Sequence, residues 1–114
     1  MKDDAGRLRD MLEAIDKIAL HVGGRRVEFE SNELLQVWAV YHLQVVGEAA
    51  SRISRELLEA HPEVPWSRIV AMRNIIVHDY LSVDMDIVWR AVERDLPPLK
   101  KQLQSVLKDL DTHS

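Results

Sequence analysis

Apolar residues recur at intervals of three and four along residues 8–22, where Leu8, Met11, Leu12, Ile15, Ile18, Ala19 and Val22 fall on one side of a helix. The spacing predicts a first helix with one buried stripe. Asp3 or Asp4 can cap its start, Glu13 and Lys17 stand one turn apart as an ion pair, and Gly23-Gly24 offers the permissive backbone that ends it. Arg25 and Arg26 read as a solvated loop. From Ser31 to Ala60 no proline interrupts the chain, so a second, long helix is expected, capped by Ser31 or Asn32 and closed by Pro62. Its middle abandons the single stripe: Leu34, Leu35, Val37, Trp38, Val40, Tyr41, Leu43, Val45, Val46, Ala49 and Ala50 point in too many directions for one covered face. Burial on two sides is expected, one by the chain's own fold and one by a second copy, since a twofold dimer is the commonest way to cover such a face.

Two residues of that helix stand out against the apolar pattern. Gly47 lowers helix stability by roughly 1 kcal/mol relative to alanine, which a close approach of another backbone would offset. Glu48 is expensive to bury ionised without a partner, and the guanidinium of Arg73 fits it chemically; solvent or Arg52, four residues on, are the other destinations. Pro65-Trp66 marks the start of a third helix covered by Trp66, Ile69, Val70, Met72, Ile75, Ile76 and Val77. Residues 79–83 form a connection, and Ser82 or Val83 leads into a fourth helix with Ile87, Val88, Ala91 and Val92. Asp84 and Asp86 in its first turn read as complements to the helix dipole rather than as metal ligands. Pro97-Pro98 predicts a kink or break before a final helix carrying Leu99, Leu103, Val106, Leu107 and Leu110. Strand-like alternation and internal repeats are absent. The expected fold is all-α, an up-and-down bundle of four to five helices in one domain spanning residues 1–114, paired as a homodimer.

Composition narrows the chemistry. The chain of 114 residues has no cysteine, which excludes disulfides and thiolate metal sites, and no apolar run of membrane-spanning length, so a cytoplasmic protein with no membrane partner is expected. No His-x3-His pair, Gly-rich phosphate loop or Gly-x-Ser-x-Gly elbow is present, which removes zinc-hydrolase, P-loop and serine-hydrolase readings. The net charge of −4 is unfavourable for binding a polyanion. By segment, residues 1–51 carry six basic and nine acidic side chains, 52–78 four and three, and 79–114 five and seven. Only the middle, with Arg52, Arg55, Arg68 and Arg73, leans positive.

That middle ends in Arg73-Asn74-Ile75-Ile76-Val77-His78-Asp79-Tyr80, which gathers a guanidinium, an amide, an imidazole, a carboxylate and a phenol around three β-branched residues. Arg73 and His78, five apart, differ by about 140° around an ideal helix, whereas Asn74 and His78 share a face. The pattern Arg-x4-His-x-Tyr, with a polar residue straight after the arginine, resembles the motif of HEPN domains and of HepT-like toxins in particular. Gly47-Glu48-Ala49, Pro65-Trp66, Val83-Asp84, Val88-Trp89 and Asp95-Leu96-Pro97 extend the resemblance along most of the chain.

RNA carries its own nucleophile in the 2′-hydroxyl, so its cleavage by transesterification needs no metal and no cofactor. It needs a base, an acid and a cation. A histidine titrating near neutrality suits either proton role and arginine suits the phosphate, so His78 and Arg73 are the candidate catalytic residues, with Asn74 and Glu48 in support. One histidine per chain leaves either the acid or the base missing. Two copies brought together by a dimer supply both.

The resemblance implies a metal-independent endoribonuclease toxin acting on tRNA or mRNA at a dimer cleft and leaving a cyclic phosphate. It also implies a cognate minimal nucleotidyltransferase antitoxin that adenylylates the motif tyrosine, here Tyr80, adding charge and bulk two residues from His78. A second class stays open: a non-catalytic module that binds a nucleotide or the nucleotidyltransferase, which the acidic balance favours. His21, His42, His61 and His113 lack an arginine and a tyrosine at the motif's spacing and are expected to be structural. Trp38, Trp66 and Trp89 are expected to supply core or interface bulk.

Overall fold

The computed structural model describes residues 3–78 and 84–113, and among these all regular structure is helical. Helix α1 runs Asp4–His21, with Asp3 as its cap accepting the Gly6 N–H at 2.8 Å. It closes at Val22, one residue ahead of the paired glycines. Leu8, Met11, Ile15 and Ile18 form the buried stripe that their spacing predicts.

The stretch after Gly24 is not the expected loop. Residues Arg26–Ser31 form a short helix, α2, because Phe29 is driven inside against Trp89, their rings 5.4 Å apart, and Arg26 is held by Glu30 and Asp86. Asn32, one of the two expected caps, then accepts the N–H groups of Leu34 and Leu35 to start α3, Glu33–Ser51. This helix stops nine residues short of Ala60, and residues Arg55–Ala60 form a separate helix, α4. The cause is a tertiary bond. Asp4 accepts both the Ser54 N–H (2.9 Å) and the Ser54 hydroxyl (2.6 Å), Ser54 in turn caps α4, and Ile53 is buried in the turn. The partner lies fifty residues away, so nothing local announces the break.

Helix α5, Trp66–His78, begins where Pro65-Trp66 predicts, and the Trp66 indole donates to the His61 carbonyl at 3.0 Å. Helix α6, Met85–Arg90, is capped by Asp84 and leads through a π-helical turn, Ala91–Asp95, into α7, Leu96–His113. Pro97-Pro98 therefore does not break the chain's helical path. The Leu96 N–H reaches back to the Ala91 carbonyl, five residues away, and the prolines then sit in the first turn of α7, where a missing N–H loses nothing. The expected distortion is present, displaced upstream and absorbed by the wide turn.

The four longest helices, α1, α3, α5 and α7, make the bundle around one contiguous apolar core. Helix α1 packs on α3 and α7, and α5 packs on α3. Between α5 and the π turn with α7 lies a half-open cleft of about 280 Å³, floored by Leu43, Val46, Ile69, Met72 and Leu99. Trp66 and Trp89 are buried, and Trp38 is half-buried against the core with its indole N–H on the Lys17 carbonyl at 2.7 Å. The two-sided character of α3 is visible directly. Ala39, Val40, Leu43, Val46 and Ala50 face inward, while Leu34, Val37 and Tyr41 form an outer stripe that is 81%, 47% and 58% exposed. Among the described residues no helix is long and apolar enough to cross a membrane.

Candidate active site

Arg73 leaves α5 where that helix crosses α3, and Gly47 makes the crossing possible. A Cβ added at residue 47 would lie 2.1 Å from Cβ and 2.8 Å from Cγ of Arg73, so the stem of the arginine occupies the place that any other side chain would take. The close approach predicted from a glycine inside an apolar helix is therefore an approach to Arg73 itself. Just past the glycine, the carboxylate of Glu48 receives the arginine head: Arg73 Nη2 donates to Glu48 Oε2 at 2.7 Å. Arg73 Nη1 donates to Asn74 Oδ1 at 3.0 Å. Stem and head are thus fixed at three points, and the side chain as a whole stays about one-third exposed.

Glu48 meets both of its candidate arginines. Its second oxygen accepts from Arg52 Nε at 2.9 Å, so one carboxylate lies between two guanidiniums. The Arg52 hydrogen bond is the largest influence and holds the Glu48 carboxyl below the usual range; desolvation opposes it, and the field of Arg73 adds to the lowering. Glu48 is accordingly ionised at neutral pH and serves as a counter-ion, not as a proton donor. The signal for Arg52 was its place four residues after Glu48 on one helix. Its simultaneous use with Arg73 was not legible, because that depends on the crossing at Gly47. Arg7, Asp10, Tyr41, Gln44 and Val45 line an open groove that leads up to Glu48 and Arg73.

The backbone of His78 ends α5, five residues and more than one turn beyond Arg73. Its side chain, together with Asp79 and Tyr80, lies outside the described residues. Of the remaining histidines, none described joins Arg73. His61 pairs with Glu63 at 3.1 Å and His21 sets its ring against Trp38. His42 is buried between Trp38 and Tyr41, with ring centroids 4.4 and 4.9 Å away, and its Nε2 has no hydrogen-bond partner. Desolvation, with the nearby Lys17 charge added and Glu13 opposing, pushes its pKa below the ordinary imidazole value. His113 has its side chain outside the described residues.

Chemically, the arrangement is a fixed positive charge whose remaining donors face an open groove, suited to anionic oxygens and preorganised by neighbours that do not titrate near neutrality. Comparison with known proteins gives the same direction. The sequence model of the ribonuclease HepT-like family matches residues 11–106, which include Gly47, Glu48, Arg52, Arg73, Asn74 and His78. The chain is 32% identical over 104 residues to "Probable ribonuclease HepT" of Thermococcus cleftensis, covering 89% of this chain and 93% of that protein. It is 30% identical over 111 residues to "Putative RNase MJ1216" of Methanocaldococcus jannaschii, covering 96% and 92% respectively. No solved structure gives a significant match. With a family match over most of its length and relatives aligned nearly end to end, the chain belongs to the ribonuclease HepT-like family.

Proposed function

We propose that this protein is the toxin of a toxin–antitoxin pair, an endoribonuclease that cuts RNA by attack of the 2′-hydroxyl on the adjoining phosphorus. The P–O2′ bond forms, the P–O5′ bond breaks, and the products are a 2′,3′-cyclic phosphate and a free 5′-hydroxyl. The observation that carries the reading is Arg73, its stem seated over Gly47 and its head held by Glu48, in a chain of the ribonuclease HepT-like family. Arg73 neutralises the charge that builds on the phosphorane oxygens. His78 takes the proton from O2′ in one copy and His78 of a second copy gives a proton to O5′, general acid–base help worth roughly 10²–10⁴-fold. Asn74 keeps Arg73 in place through the bond at 3.0 Å.

The second copy is argued from α3. Its exposed stripe of Leu34, Val37 and Tyr41 runs along the helix towards Glu48, so pairing of two copies along that stripe brings the two Arg73 regions towards each other. Control is proposed to come from a minimal nucleotidyltransferase partner that transfers AMP from ATP to the Tyr80 hydroxyl with release of pyrophosphate, placing a phosphodiester where the RNA phosphate must sit. One observation favours a second reading, a binding module without cleavage: the net charge of −4.

The deciding experiment compares wild type, His78→Ala and Arg73→Ala as pure proteins on total tRNA and mRNA. Cleavage ends bearing cyclic phosphate from wild type, with a loss of at least about 100-fold in each variant, are expected. Cleavage by none of the three, with retained binding of the nucleotidyltransferase, selects the second reading. Mass spectrometry of Tyr80 after incubation with partner and ATP tests the control step.

A further inference from the structure

Two guanidiniums share one carboxylate at the edge of the site, each on its own oxygen: Arg52 Nε on Oε1 at 2.9 Å and Arg73 Nη2 on Oε2 at 2.7 Å. Arg73 lines the open groove, and Arg52 stands beside it on the other oxygen of Glu48, with two hydrogen bonds and a carboxylate between the two guanidiniums. Arg52 is the residue just past α3, and its own N–H is already taken by the carbonyls of Ala49 and Ala50. Its side chain is thus not consumed in closing the helix. It turns sideways to Glu48, towards Arg73, and remains 57% exposed. A guanidinium presents five N–H donors, and the Glu48 bond uses one of those on Arg52. The triad of Arg52, Glu48 and Arg73 carries one net positive charge. Without Glu48 the two cations would repel each other out of register.

We propose that Arg52 is a second phosphate-binding residue, taking the phosphate next to the scissile one while Arg73 takes the scissile one, with Glu48 as the spacer that sets the distance between them. This rests on the ribonuclease reading for the identity of the anion. Arg52 binds substrate and does not touch the reacting bonds, so its loss falls on KM more than on kcat.

The test uses the full chain and a single-stranded oligoribonucleotide methylated at its 2′-oxygens, which binds and cannot be cut. Dissociation constants for wild type, Arg52→Ala, Arg52→Lys and the control Arg9→Ala, whose arginine pairs with Asp111 on α7, are measured by fluorescence anisotropy from ~50 to 200 mM salt. Arg52→Ala is expected to raise Kd about five- to tenfold and to flatten the dependence of log Kd on log salt by about 0.7, one phosphate contact on a single strand. Arg52→Lys keeps the slope, and Arg9→Ala leaves both quantities alone. An unchanged slope in Arg52→Ala overturns the proposal, as does a fall in kcat with KM unchanged, which would mark Arg52 as a brace for Glu48 only. If wild type binds with the expected slope yet never cuts the unmethylated strand, the ribonuclease reading fails and the phosphate seat stands. If wild type cuts and the slope is indifferent to Arg52, the seat alone fails; if wild type neither binds nor cuts, both fail.

Discussion

Gly47 determines how near α5 comes to α3 and so where Arg73 stands. Gly47→Ala would gain roughly 1 kcal/mol of intrinsic helix stability, but the new methyl group meets the first carbons of the Arg73 stem, which cannot swing aside without moving α5. Overpacking should win, with a net loss of about 1–3 kcal/mol in urea unfolding and a loss of cleavage larger than the stability change explains. His42 gives a prediction with a definite sign. Burial lowers its pKa in the folded chain, so below about pH 6.5 the unfolded chain binds more protons, and stability drops as pH falls through the ordinary imidazole range until the folded pKa is passed. The urea midpoint of wild type should therefore decline between about pH 7 and 5 more than that of His42→Leu, whose stability at neutral pH should lie within about 1 kcal/mol of wild type. The pairing of Glu48 with Arg73 was legible because a carboxylate on an apolar helix has few partners to choose from. The orphaned Nε2 of His42 was not, since a sequence does not say which side chains surround a ring.

The long helices were readable because each carries its apolar residues at a steady period over several turns, as α1 and α7 do. Two of the short ones were not. Helices α2 and α4 have six residues each and a single buried anchor, Phe29 and Leu57, too little for a period to register. The break before α4 was hidden for a further reason, that Asp4 stabilises it from the far end of the sequence. Ser54→Ala removes both the α4 cap and the bond to Asp4, and a loss at the upper end of the usual ~0.5–2 kcal/mol for caps is expected, with Asp4→Ala showing no full additivity in the double variant. Pro97 makes the converse case. A proline in a helix interior costs about 3 kcal/mol, yet here the π turn has already displaced the hydrogen bonding, so Pro97→Ala should change the urea midpoint by less than about 1 kcal/mol.

At the scale of the whole molecule, the described residues span 45 × 27 × 25 Å, and of the three segments only residues 52–78, which hold Arg52 and Arg73, carry more basic than acidic side chains. If it binds RNA as proposed, a molecule of net charge −4 is expected to do so with a small number of phosphate contacts and hence a shallow dependence on salt. Placing a charge on the outer stripe, Val37→Asp, should leave each chain helical by circular dichroism, shift sedimentation from dimer to monomer and abolish cleavage together; an active monomer would refute the composite site. The arrangement of the bundle has one further consequence. Among the described residues, helix α5 has α3 as its only extensive neighbour, with a cleft on the side towards α7, whereas α1 is clasped between two long helices. Amide protons along α5 should therefore trade with deuterium well before those of α1, and they should slow when RNA spans Arg52 and Arg73. Substrate itself would then complete the latching of one loosely moored rod.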